Sequence, residues 1–173
     1  MNHKSLFFKY VIPSIIAFAL SGIYAIVDGY FVGNTIGDAG LSAINIVYPI
    51  EALIQALGTG IGMGGAVYYS INAAEKKGKR AEEFIATSWW LLVIVSVIST
   101  IIIYSFSSKI LGLLGADGII LTNATDYIKI IALGAILQIL GTGMMLFIRN
   151  YGNSFWSMFA MVGGFITNIV LDF

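Results

Sequence analysis

The sequence predicts an all-α integral membrane protein, a polytopic helical bundle, on three observations. Hydrophobic residues fill 58% of the 173 positions and charged residues only 10%, far from the balance of water-soluble domains. The mean hydropathy is +0.92. The apolar residues also come in long runs, several of about twenty residues or more, the length needed to cross a hydrocarbon core. A soluble fold of this composition would leave wide apolar patches in water, so the lipid bilayer is the first partner the chain requires.

Five runs separate, at about 9–33, 41–70, 84–104, 127–148 and 155–173. The first opens after Lys4 and Lys9 in the manner of a signal peptide, but it is too long, continues through Asp28 and has no small-residue cleavage site, so it reads as a membrane helix. The second carries Pro49 and a glycine-rich half. Trp89 and Trp90 start the third and Trp156 starts the fifth, where interfacial anchoring explains them. Between the third and fourth runs, Ile110 to Leu114 with Gly112 and Gly115 suggests a helical extension or a short interfacial piece. The fifth stops at Leu171-Asp172-Phe173 without a polar exit. It reads as a chain cut within, or at the end of, a helix, so a longer working protein is expected.

Charge sets the expected orientation. The segment from Ile71 to Glu83 holds Lys76, Lys77, Lys79 and Arg80, whereas Asn34 to Gly40 holds no basic residue. Basic residues near helix ends stay preferentially in the cytoplasm. The reading is a multi-pass protein of the cell membrane with a cytoplasmic amino terminus, the basic segment and the turn after Arg149 inside, and Lys109 as an exception outside.

Composition also excludes. Nine basic and nine acidic residues cancel, leaving no global field to attract nucleic acid. The absence of cysteine removes disulfides, thiolate metal sites and a thiol nucleophile. The one histidine, His3, reads as an exposed terminal side chain. No resident cofactor is expected.

Charges inside apolar runs are costly, which makes Asp28, Glu51 and Asp172 the first functional candidates. Glu51 stands on equal terms as a wetted carboxylate beside Pro49 and as part of a cavity. Asp28 and Asp172 agree in geometry: each lies about 27 Å along its helix from the inner side by the rise per residue. Each also ends a stripe of small and polar residues at helical spacing: Ser14, Ala17, Ser21, Ala25 and Asp28 on one helix, Ser157, Ala160, Gly164, Asn168 and Asp172 on the other. Small residues let helices approach, so both stripes are expected to face protein. Two carboxylates and the Asn168 carboxamide form a hard oxygen set suited to a proton or Na⁺. Zn²⁺ or a redox metal would want nitrogen or sulfur. Two carboxylates in a low-dielectric pocket resist joint ionisation, so cation occupancy would alter how the helices pack. Pro13 reads either as a bend in the first helix or as a proline tolerated near its start.

Gly60-Ile61-Gly62-Met63-Gly64-Gly65 alternates glycines like a dinucleotide motif but follows a helical run rather than a strand. Close packing explains it better: Gly58 with Gly62, and Gly60 with Gly64, lie one turn apart. Gly134, Gln138 and Gly141 give the fourth helix a similar small face, on which Gln138 either lines a substrate cavity or bonds a neighbouring helix.

Several segments together resemble a known family. Val27-Asp28-Gly29-Tyr30-Phe31-Val32-Gly33, Gly37, Leu41-Ser42-Ala43 and Tyr48-Pro49-Ile50 resemble the first two helices of multidrug and toxic compound extrusion (MATE) transporters. Arg149-Asn150-Tyr151-Gly152-Asn153 and Asn168-Ile169-Val170-Leu171-Asp172 continue the likeness, which spans essentially the whole chain. It implies five transmembrane helices of a six-helix amino-terminal lobe, the sixth helix and the carboxy-terminal lobe lying outside these residues. It also implies an antiporter that exports amphipathic or cationic drugs by alternating access in exchange for Na⁺ or H⁺, not an enzyme. In the branch named after the DNA-damage-inducible F protein (DinF), the cation site would map onto Asp28, Asn168 and Asp172 and the bending proline onto Pro13. The set is incomplete without ligands from the sixth helix, and the turn after Arg149 lacks the proline or lysine frequent there.

The rival readings are a flippase of lipid-linked saccharides from the same superfamily and a non-transporting membrane scaffold subunit. The former would favour a basic cavity, which these helices do not supply. An aspartate-dyad enzyme ranks last, because no catalytic motif surrounds Asp28 or Asp172.

Overall fold

A computed structural model describes residues 3–35, 37–152 and 154–172; the side chains of several positions in the first and fifth helices, 13, 28, 168 and 172 among them, lie outside the described residues. Five helices follow one another: α1 His3–Thr35, α2 Asp38–Ala74, α3 Gly78–Leu113, α4 Gly118–Asn150 and α5 Ser154–Asp172. Among the described residues three of them, α2, α3 and α4, are long and apolar enough to cross a membrane. The all-α, multi-pass architecture expected from the sequence is thus observed.

The helices outrun their apolar stretches. The expected 84–104 becomes Gly78–Leu113 and the expected 127–148 becomes Gly118–Asn150, while 9–33 and 41–70 lengthen to His3–Thr35 and Asp38–Ala74. Hydropathy marks only the part that suits lipid, whereas the helix itself continues until something stops its hydrogen bonds. Lys79, Arg80, Ala81, Glu82 and Glu83 are good helix formers and carry α3 back to Gly78. Ile110 to Leu113 completes α3 rather than forming a separate interfacial piece. α2 runs unbroken through Pro49.

What stops α2 and α3 is the same device. At the end of α2, Lys76 N–H donates to Ala73 O at 3.1 Å and Lys77 N–H to Asn72 O at 2.9 Å. At the end of α3, Gly115 N–H donates to Gly112 O at 3.1 Å and Ala116 N–H to Leu111 O at 3.0 Å. Each pattern requires a left-handed residue, Lys76 at φ 60° and Gly115 at φ 95°. Glycine adopts that region freely and lysine does so against steric resistance. The turns that result are only a few residues long, so consecutive helices alternate in direction.

The core lies between α2, α3 and α4. Val47 and Ile54 of α2, Leu92 and Leu111 of α3, and Ile128, Ala132, Ala135 and Ile139 of α4 are fully buried. A smaller cluster of Ala66, Leu146 and Phe147 continues it toward the basic turn. Glycines set the α2–α4 distance. A Cβ on Gly58 would stand 2.9 Å from Ile139 O, and one on Gly62 would meet the Gly143 backbone, its Cα at 2.6 Å. Both pairs advance by four residues together, so α2 and α4 run parallel with their backbones in near contact. Gly65 is filled by Ser88 and Phe147, and Gly143 by Leu92. The Thr100 hydroxyl adds a polar tie across the seam, donating to Ala132 O at 3.0 Å, as interhelical hydroxyls do in lipid.

The other glycine faces behave differently. A Cβ on Gly60, Gly64, Gly134 or Gly141 would find nothing within 4 Å. Of the glycine faces expected to pack on α2 and α4, only Gly58 with Gly62 does so against another helix here. Two residues of separation turn a side chain to the opposite side of a helix, so Gly60 and Gly64 look away from α4.

Candidate functional site

α1 and α5 pack against each other, α5 also rests on α4, and α1 touches α2. With helices alternating along the chain, α1 and α5 run the same way. The segments carrying positions 28 and 172 therefore both lie toward the ends remote from the Glu75–Lys77 turn. The side chains of Asp28, Asn168, Asp172 and Pro13 lie outside the described residues, as do those of the rest of the first stripe, Ser14, Ala17, Ser21 and Ala25. The described part of the second stripe splits: Ser157 is fully buried, whereas Ala160 and Gly164 are exposed.

Glu51 is half-buried on α2, flanked along the helix by the buried Ile50 and Ile54. Gln138 is exposed on α4 and, among the described residues, makes no hydrogen bond to another helix. It shares an open face of α4 with Gly134 and Gly141. Among the described residues no group of three acidic or histidine side chains comes together.

The basic end is better defined. Tyr69 of α2 stacks on Tyr151 at 5.0 Å between ring centroids, and Tyr68 stacks on Phe84 of α3 at 5.3 Å. A cleft of about 320 Å³ is lined by Ile85 of α3 with Met144, Phe147, Ile148 and Tyr151 at the end of α4. A second, of about 270 Å³, has Gly60, Gly64 and Gly65 of α2 as its floor and Phe84, Thr87, Ser88 and Leu91 of α3 as its wall. The turn carries a surface ion pair, Lys77 Nζ to Glu75 Oε2 at 2.7 Å. This partner holds the Glu75 carboxyl below the usual carboxylate range, with Arg80 adding a smaller pull.

Arg149, read from the sequence as an orientation marker and as the start of a family-like stretch, has a less ordinary environment. It is partly buried in the last turn of α4, and its Nη2 donates to the Met161 sulfur of α5 at 3.9 Å. Among the described residues its buried Nε has no partner, and neither does the buried Ser157 hydroxyl one turn before Met161. Nothing in the spacing of Arg149 distinguishes a buried guanidinium from a solvated one.

Known proteins share both sequence and shape with this chain. The MatE family model matches residues 13–173. The multidrug export protein MepA of Staphylococcus haemolyticus is 31% identical over 93% of this chain and 36% of that protein. MepA of Staphylococcus saprophyticus is 33% identical over 98% and 38%. Among solved structures, the MATE multidrug transporter DinF-BH, in complex with a ligand, superposes with a TM-score of 0.93 at 27% identity, covering 99% of this chain and 38% of that one. A MOP superfamily transporter from Pyrococcus furiosus, described as having a binding pocket of reverse polarity that suggests a different function, gives 0.91 at 26% identity, over 98% and 37%. The chain thus spans little more than a third of the length of these relatives.

Proposed function

The chain belongs to the MatE family, and from that premise we propose that it forms part of a cation-coupled exporter of amphipathic or cationic drugs working by alternating access. The observation that carries this reading is the match over almost the whole chain to proteins named for multidrug export. The ligand complex of DinF-BH supports a small-molecule substrate and placement in the DinF-like branch. The rest of those relatives' length is where a sixth helix and a second lobe would lie.

In this proposal Asp28, Asn168 and Asp172 bind the coupling ion, Na⁺ or H⁺. Support comes from two sources: hard oxygen donors at helical spacing, and the packing of α1 directly on α5. Occupancy neutralises carboxylates that would otherwise repel in a low-dielectric site, and that change biases the packing of α1 on α5. Pro13 supplies a bend, while Gln138 and Glu51 contribute to the drug cavity. The amino terminus and the Glu75–Lys77 turn face the cytoplasm, in line with the positive-inside bias.

The test is efflux of a fluorescent organic cation from proteoliposomes holding the complete protein, with Na⁺ and H⁺ gradients imposed separately. Asp28→Asn and Asp172→Asn should each lower the coupled rate at least about tenfold, the loss expected when about 1.4 kcal/mol of coupling is removed. Undiminished transport in the double variant overturns the assignment. The Pyrococcus furiosus relative with a pocket of reversed polarity keeps a second reading open, a lipid-linked saccharide flippase. Dye transport absent in the unaltered protein, with scrambling of a saccharide lipid present, would establish it.

A further inference from the structure

We propose that the cleft between α3 and α4 binds an amphipathic organic cation, with Tyr151 offering a ring face and Glu82 a counter-charge at the mouth. The cleft holds about 320 Å³, at the small end of the range for pockets that take drug-sized molecules. Ile85 of α3 and Met144, Phe147, Ile148 and Tyr151 of α4 line it, so its wall is apolar and partly aromatic. The Met144 thioether adds a soft, adaptable surface. A free inorganic ion has no use for such a wall, and a neutral apolar molecule needs no charge at its edge.

Tyr151 is the recognition element. Its ring stacks on Tyr69 at 5.0 Å between centroids, and Tyr69 also meets Phe147 edge to face at 6.4 Å. The three rings hold one another in place. Tyr69 covers one face of Tyr151, whose 61% exposure leaves the other for the cleft. A ring face carries partial negative charge and attracts a cation, more strongly where water is excluded.

The second observation is the counter-charge. α3 and α4 run antiparallel, with Leu92 against Gly143 and Thr100 on Ala132. The same register brings Glu82, one turn before Ile85, level with the end of α4 where Tyr151 lies. Its carboxylate stands within electrostatic reach of the Tyr69 hydroxyl. Glu82 is exposed, and among the described residues it pairs with no cation. Arg149 turns away from the cleft onto Met161 of α5, and Lys77 is held by Glu75. A negative charge at the water-facing end of an apolar, aromatic slot complements both halves of an amphipathic cation. On the orientation proposed above, this end faces the cytoplasm, the side from which an exporter takes its cargo. That link rests on the exporter reading; the binding itself does not.

The experiment compares tetraphenylphosphonium with tetraphenylborate, a cation and an anion of one shape, binding to the complete protein in uncharged maltoside micelles by equilibrium dialysis. Ile85→Trp fills the cleft, and the saturable binding it removes defines the site. There the cation should bind at least about tenfold more tightly than the anion. Glu82→Gln should weaken phosphonium binding about fivefold, the effect of one charge about 4 Å away in water, and leave borate no weaker. Tyr151→Leu, which keeps the wall apolar but removes the ring face, should weaken it about threefold. Each variant is repeated together with Asp28→Asn and Asp172→Asn, which disable the proposed ion site; the effects should persist there even if coupled transport is absent from the unaltered protein. Thermal unfolding separates lost binding from lost fold, and the exposed Glu82 keeps the question decidable if Ile85→Trp does not fold. Equal affinity for the two ions, phosphonium binding unchanged in Ile85→Trp, or binding unchanged in both Glu82→Gln and Tyr151→Leu overturns the proposal and leaves the cleft as an apolar slot for lipid tails.

Discussion

The α2–α4 seam and the α1–α5 pair are built from the same small residues and use them in opposite ways. In the seam, Gly58, Gly62 and Gly143 bring two backbones into contact, and a Cβ at Gly58 or Gly62 would collide with main-chain atoms that have nowhere to go. In the pair, Gly22, Gly29, Gly163 and Gly164 have nothing within 4 Å of where a Cβ would stand. The first arrangement relies on contact and gains dispersion energy that side chains would forbid. The second leaves room around helices that carry the candidate ion-binding residues. Glycine content alone therefore says little about packing: the partner on the other side of the gap decides.

That contrast can be broken most directly at Gly62. Gly62→Ala should cost about 3 kcal/mol, at the upper end of overpacking penalties, because the new methyl meets Gly143 main chain rather than a movable side chain. Thermal unfolding in detergent would show it as a large drop in midpoint. A smaller effect of opposite sign is expected from Gly163→Ala, where open space lets the better helix propensity of alanine act, worth up to about 1 kcal/mol and visible as a raised midpoint. If both variants lose stability equally, the distinction between seam and pair fails.

The smallest effect lies in the turn that joins α2 to α3. Glu75 is held below the usual carboxylate range, first by its hydrogen bond to Lys77 and then by that residue's charge. A depressed folded value means the pair contributes at pH above the unfolded carboxylate range and is lost as pH falls through the lowered value. In Lys77→Ala the Glu75 titration, followed by carbon-detected NMR, should move back up toward the ordinary value. The ion pair is exposed, so global stability should hardly respond.

Much of the fold was legible because lipid imposes one rule on every helix: apolar runs of sufficient length cannot be anything else in this composition. The ends were less legible. Hydropathy falls at Phe84 and Tyr104, yet α3 spans Gly78–Leu113, since backbone hydrogen bonds continue into the polar layer until a left-handed residue such as Gly115 ends them. The packing faces were half legible. Helical spacing picks out Gly58 with Gly62 and Gly60 with Gly64 equally well, and only the approach of α4 separates them. At the candidate ion site, the sequence names Asp28, Asn168 and Asp172 by cost and chemistry, and the structure adds that their helices are neighbours. Arg149 was opaque for a different reason: its charge explains orientation so well that nothing in the spacing hints at a buried, unsatisfied nitrogen.

The parallel pairing of α2 with α4 also bears on the order in which the protein is made. The two contacting faces are separated by roughly 80 residues, which at 5–20 residues per second take about 4–16 s to synthesise. During that interval the groove that receives Ile139 and Gly143 already exists on α2 while its partner is still in the ribosome. α3 emerges first and covers Gly65 with Ser88, but Gly58 and Gly62 must wait, shielded by lipid or by the insertion machinery. A residue change that slows translation between α2 and α4 would lengthen that exposure without altering a single contact of the finished molecule.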